Sequence, residues 1–409
     1  MKIQDLMGFR YDATPLPLPT DDMADDAEKI VQWFLECAFF KPFVYRNPMK
    51  DPQKEFADAL VIFEDTIVIV QVKTKSSERA ETDWIAKHAS KASKQLNGSY
   101  RQLKDGIVKE FTNPVFAVKK QIDLSQYPYV YGIIVLAGVN ENIDPISLIS
   151  SADKPTIPTI FLSISDLQIL TERVNTAADF IHYCEAHYTL ASRESVFINQ
   201  EETTLLRIAA QIPDLLSEGR PIESFEEKYL LGFQWISRLF KGEVNLDPDY
   251  RFSLLLDDIL SHLHDLDHEY SAPFVDASLD SLKIAEQLGW LDRKRRIELG
   301  KLLYRCADAS RDGNTRLLPY MRPKLGVLFL FIYTKEPRVL RRKQLFAFVG
   351  LAQLKYGVTQ VLGIATEPIG NGRSYDMIWV TEGIVMPKRK VSSELLNALP
   401  ELNRSLIEV

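Results

Sequence analysis

Glu55–Lys75 reads EFADALVIFEDTIVIVQVKTK, and the pairing of its two halves decides how the first third of the chain folds. Ala57–Phe63 is apolar apart from Asp58, and Thr66–Thr74 is apolar and β-branched until Gln71 and Lys73. Short runs this rich in Val and Ile, broken by a polar pair, read as two buried strands. With Glu64-Asp65 as a two-residue turn, Phe63 faces Thr66 and paired positions sum to 129; a four-residue loop gives the same sum. Asp58 is then expected opposite Gln71, with Cβ atoms roughly 5 Å apart on one face of the sheet. Lys73, two residues further on, shares that face. A carboxylate, an amide and an ammonium therefore meet at the end of an apolar strand pair. Burying each without a partner costs roughly 2–7 kcal/mol, so the pattern points to a ligand or a mechanism.

The flanking sequence extends the pattern. Asp21–Phe40 reads as a helix, with Thr20 or Asp21 as N-cap and Asp25 and Asp26 near the positive end of its dipole. Its apolar stripe includes Ile30, Phe34 and Cys37, and Glu28 and Glu36 lie near the stripe's edge. Phe43–Arg46 reads as a short strand. Downstream, a helix over about 84–104 carries His88, Lys91, Lys94, Gln95 and Arg101, with Asp83 or Thr82 as cap and Asn97-Gly98 as an interruption. Tyr127–Leu136 and Thr159–Ile164 follow as strands, and a helix between Ser165 and Ser192 packs on the sheet.

Asp58 followed after a hairpin by Gln71-Val72-Lys73, with Glu28 on the preceding helix, resembles the PD-(D/E)xK nuclease superfamily. The match is to its Mrr-like form, in which Gln replaces the acidic residue before x-Lys. The resemblance covers roughly residues 20–140, about a third of the chain. It implies a restriction-endonuclease-like mixed sheet flanked by helices. It also implies a Mg²⁺-dependent, or Mn²⁺-dependent, endonuclease that hydrolyses DNA phosphodiester bonds in restriction or anti-phage defence. Asp58, Gln71, Lys73 and Glu28 would be the catalytic residues. Asp58, the Gln71 side-chain oxygen, the Val72 carbonyl and Glu28 would offer the oxygen donors that hard cations take. Lys73 would orient the attacking water and stabilise developing phosphorane charge. Lys75, Lys91, Lys94, Gln95 and Arg101 are the candidate nucleic-acid contacts. A homodimer or higher homo-oligomer is the expected assembly. A nuclease fold that binds nucleic acid or a partner without cutting, and a nuclease gated by a signal, are the alternatives.

The whole chain bounds these readings. Its 409 residues, 46% hydrophobic, suffice for two or three domains. The net charge of −7 excludes a simple nucleic-acid coating protein. Charge is nevertheless uneven, with 11 Lys/Arg against 5 Asp/Glu over 71–120, and 15 against 5 over 290–346. Local basic surface of this kind is the footprint of nucleic-acid binding. Three distant cysteines imply no disulfide framework and fit a reducing cytoplasm. No apolar run approaches 18 residues, so no membrane span is expected.

The expected organisation is an N-terminal nuclease-like domain over 1–195, a helical middle over 196–290 and a C-terminal α/β module over 291–409. The overall class is α/β, or α+β. In the middle, TLLRIAAQIPDLL, FEEKYLLGFQWISRLF and FSLLLDDILSHLHDL read as helices. HLHDLDH over 262–268 resembles a metallo-β-lactamase metal pattern but is one residue out of register, and reads as a polar helix terminus. His182, Cys184 and His187 lack an evident fourth ligand for zinc and read as packing residues. The third module reads as strand 326–333, helix 341–356, and strands 360–365 and 376–380. That order echoes the first domain after its hairpin, without the Asp…(Glu/Gln)xLys residues. A recognition, regulatory or oligomerisation role, including contact with a partner protein or activator, is expected of it. GxxxxGK(S/T), GxSxG, HExxH and paired CxxC motifs are lacking, and an ATP-driven motor within this chain is not expected.

Overall fold

The computed structural model describes residues 16–51, 54–75, 80–192, 194–208, 250–261, 277–310, 314–322, 326–367, 375–381 and 399–400. The 262–268 tract, residues 369–372, most of the proline-rich arm and the helices expected over 209–240 lie outside them. The chain is mixed α/β and divides into two compact units, 1–248 with 289–294 and 249–288 with 295–409.

The first unit opens with α1, Met23–Phe39. Asp22, not Thr20 or Asp21, is its N-cap and accepts from Ala24 N–H at 2.8 Å. Thr20 instead bonds Asp26 through its hydroxyl and backbone N–H. After a 3₁₀ turn that takes up Phe43 come β1, Val44–Arg46, and the short pair β2, Met49–Asp51, and β3, Lys54–Glu55. The expected hairpin is β4, Ala59–Phe63, and β5, Thr66–Thr74. The turn between them places Glu64 at φ 55°. Arg46 forks onto buried Glu36 at 2.6 and 2.5 Å and ties β1 to α1.

The next helix, α2, runs from Glu81 to Lys104 with no side-chain cap. Asn97-Gly98 does not interrupt it. Asn97 accepts from Thr156 N–H at 2.8 Å and donates to the Lys154 carbonyl, so its side chain is spent on tertiary contacts that hold the helix in place. A small hairpin, β6, Glu110–Thr112, with β7, Lys119–Gln121, leads to β8, Tyr129–Ala137. Then come the short α3, Pro145–Leu148, and β9, Thr159–Leu162. The single helix expected over 165–192 is two, α4, Ile164–Arg173, and α5, Ala177–Ala191. Thr176 breaks them apart by capping Asp179 N–H at 3.1 Å.

The five-stranded sheet has the order β1-β4-β5-β8-β9. β1/β4 and β4/β5 are antiparallel; β5/β8 and β8/β9 are parallel. The β4/β5 register runs from Phe63↔Thr66 to Ala59↔Val70, every pair summing to 129 as expected. Leu60, Ile62, Ile67, Ile69, Ile134 and Leu136 make one apolar core with Trp84, Ile85, Ala89, Ala92 and Leu96 of α2. Gly132 permits this approach, since a Cβ there would lie 2.5 Å from Leu96 and 2.6 Å from Thr159.

In the second unit, α6, Tyr250–Ser261, α7, Ala277–Gly289, and α8, Arg293–Ala309, precede a four-stranded sheet. Its strands are β10, Arg316–Arg322, β11, Val327–Tyr333, β12, Gln360–Thr366, and β13, Tyr375–Val380, in that order. The crossover helix α9, Arg338–Tyr356, joins the parallel pair β11/β12. Hairpin, crossover helix and parallel strand thus repeat the order β4-β5-α2-β8. Even the close approach repeats: Gly363, fourth in β12 as Gly132 is fourth in β8, would place a Cβ 2.6 Å from Val349. Superposing these glycine-centred registers puts Leu317, Ile332 and Thr334 where the first unit has Asp58, Gln71 and Lys73. The second unit therefore lacks the polar set at the matching strand ends.

Candidate functional site

Four sequence-selected residues gather at the C-terminal end of β5. The ladder stops at Ala59↔Val70, one residue short of the expected Asp58↔Gln71 pair. Continued in register, Val72 would face Ala57. Instead the Asp58 carboxylate takes the place of a backbone acceptor, and Oδ2 accepts from Val72 N–H at 2.5 Å. Lys73 Nζ lies 3.7 Å from the same oxygen and donates to the Val72 carbonyl at 2.6 Å. Gln71 is 3% exposed, and its Oε1 has no hydrogen-bond partner among the described residues. A buried amide oxygen in that state costs about 1–3 kcal/mol, which a ligand bound to that oxygen would recover.

Electrostatics mark the same spot. Burial pushes the Asp58 carboxyl above its ordinary range, against the pull of Lys73 and the Val72 N–H. Glu28, on α1, is pushed up to about 7 by burial and by the neighbouring charges of Asp58 and Glu55. Glu55 is also raised, by desolvation first and Asp58 second. Three carboxyl groups held high around one ammonium form a locus that added positive charge stabilises. Glu55 was not among the residues selected from sequence, although it sits three residues before Asp58.

The oxygen donors suit a hard cation: Asp58 and Glu28 carboxylates, the Gln71 amide oxygen and the Val72 carbonyl. Among the described residues, no three His, Cys, Asp or Glu side chains group as a metal site. The fit therefore rests on the mixed donor set and on the unpartnered Gln71 oxygen.

The candidate nucleic-acid contacts are divided. Lys91, Gln95 and Arg101 are exposed on α2. Lys94, also exposed, pairs with Asp153 at 3.1 Å, and Lys75 pairs with Glu81 at 3.6 Å. The zinc candidates are packing residues: His182, Cys184 and His187 are all at most 3% exposed. Burial lowers His187 to about 4 from 6.5, outweighing a backbone hydrogen bond that pulls the other way. The native state thus takes up this proton less readily than the unfolded chain. Its stabilising share is full above pH 6.5 and falls as pH drops to 4, by about 3 kcal/mol. His187→Phe is expected to flatten that acid limb in urea titrations at stepped pH; an unchanged limb contradicts the assignment.

No family model, curated protein or solved structure matches the chain. Among the described residues no helix is long and apolar enough to cross a membrane.

Proposed function

We propose that the first unit is a divalent-cation-dependent endonuclease acting on DNA. The observation that carries this reading is the convergence of Asp58, Lys73 and the unpartnered Gln71 oxygen at one strand end. Asp58, Gln71 and the Val72 carbonyl would hold Mg²⁺ or Mn²⁺, with Glu28 bound through water. The bound ion supplies Lewis acidity and a water of lowered pKa. Lys73 orients the attacking water and offsets charge developing on the phosphate; one such preorganised donor is worth about 10²–10³ in rate. Asp58 fixes the ammonium by charge, and Val72 fixes it by hydrogen bond. Exposed Lys91, Gln95 and Arg101 offer backbone phosphates a sequence-independent hold. Cutting both strands of a duplex then calls for two copies of the site, which favours a homodimer. Restriction or anti-phage defence is the setting the resemblance implies.

The test uses supercoiled plasmid, linear duplex and single-stranded DNA, each with Mg²⁺, Mn²⁺ or chelator. Wild type should cut only with the cation, and Lys73→Ala should cut at least about 100-fold more slowly. Equal cutting by the variant sinks the proposal. So does wild-type protein that binds DNA without cutting it, which is the outcome of a silent nuclease fold.

A further inference from the structure

We infer that Gln32 and Asn47 are positioning residues that set the Asp58 carboxylate, an inference that rests on the function proposed above. Gln32 lies one helical turn beyond Glu28 on α1 and is 4% exposed. Its amide nitrogen donates to the Asp58 carbonyl at 2.7 Å and to Asn47 Oδ1. Both its protons are thereby spent. Asn47 N–H donates to the same Asp58 carbonyl at 3.2 Å, and its side chain hydrogen-bonds Glu55. Asn47 stands at φ 41°, a left-handed position that Asn tolerates better than most residues.

Asp58's carbonyl points toward β1 and α1, as strand alternation sets it beside the Ala59↔Val70 pair, and the two donors pin it there. With that backbone pinned one residue past the end of the β4/β5 ladder, its carboxylate meets Val72 N–H. Without the two donors the Asp58 backbone is free to shift, which moves the carboxylate off Val72 N–H and off the cation locus. Gln32 and Asn47 touch no reacting atom in this account; they act through Asp58.

The experiment measures Mn²⁺ affinity by calorimetry, and plasmid cutting against Mn²⁺ concentration, for wild type, Gln32→Met and Asn47→Gly. Glycine keeps the left-handed backbone and removes the amide. Both variants should bind Mn²⁺ at least about 10-fold more weakly, the loss typical of groups that orient a ligand. Saturating Mn²⁺ should restore the cutting rate to within about 2-fold, which a purely structural lesion does not allow. Should Gln32→Met fail to fold, Asn47→Gly carries the test. Unchanged Mn²⁺ affinity with wild type still cutting overturns the positioning role and leaves the nuclease reading intact. Wild type that neither binds Mn²⁺ nor cuts overturns both.

Discussion

Asp58→Asn is expected to abolish cation-dependent cleavage, with a fall of at least about 10³-fold, while leaving the fold in place. Asn matches Asp in size, and its side-chain oxygen can still accept the Val72 N–H, so the local hydrogen bond survives. What disappears is the negative charge that would hold the ion and that faces Lys73 at 3.7 Å. Removing one preorganised charge-stabilising group costs about 10²–10³, and Asp58 is asked to serve both the ion and the ammonium. The unfolding temperature should stay within a few degrees, because burial already disfavours this carboxylate's charge. Single-turnover cutting and a thermal melt on one preparation check both halves. A variant that melts like wild type and cuts like it removes Asp58 from the chemistry.

The largest stability effect is expected in the second unit. Asp376 is 3% exposed and accepts from Arg341 at 2.6 Å, Arg342 at 2.6 Å and Arg338 at 3.0 Å. Burial pushes its carboxyl up, but the three guanidinium groups outweigh burial and hold it below its ordinary range. Its contribution is therefore present at neutral pH and is lost as acid protonates it. Asp376→Ala strands Arg341, itself 3% exposed. Breaking a buried pair costs about 3–5 kcal/mol. Arg341 keeps Glu367, which argues for the lower end of that range. Urea unfolding of the full chain should show the second unit's transition moved accordingly. The double variant Asp376→Leu/Arg341→Met, which removes both buried partners, should recover most of the loss, since an apolar replacement of a buried pair is often neutral. A loss under about 1 kcal/mol for Asp376→Ala contradicts this account of the network.

The hairpin was legible because its evidence is local. Two β-branched runs and a short turn fix the sum of 129, and every observed pair obeys it. The surroundings of Asp58 at the end of the ladder were not legible, because its carbonyl is held by Gln32 and Asn47, 26 and 11 residues away in sequence. Their only local signals are Gln32's place one turn after Glu28 and the Asn47-Pro48 turn pair. Residues Asn97-Gly98 misled for the opposite reason: a local turn signal yielded to tertiary bonds with Lys154 and Thr156. Strand β10 escaped notice because Pro319 argues against a strand interior. Among the described residues β10 is an edge strand, paired to β11 alone, and an edge tolerates the proline. The charge crowding of Glu28, Glu55 and Asp58 lay beyond sequence too, since it needs α1, β3 and the residue before β4 brought to one place.

The central claim is that Asp58, Gln71, Val72 and Glu28 make an oxygen-donor cation site beside Lys73. Calorimetric titration of the full chain with Mn²⁺, without DNA, tests it most directly. Saturable binding at one site per chain is expected in wild type, and its loss in Asp58→Asn. Strengthened binding is predicted in Gln71→Glu, where a charge replaces the unpartnered amide oxygen. Binding that is absent in wild type, or that survives unchanged in Asp58→Asn, contradicts it.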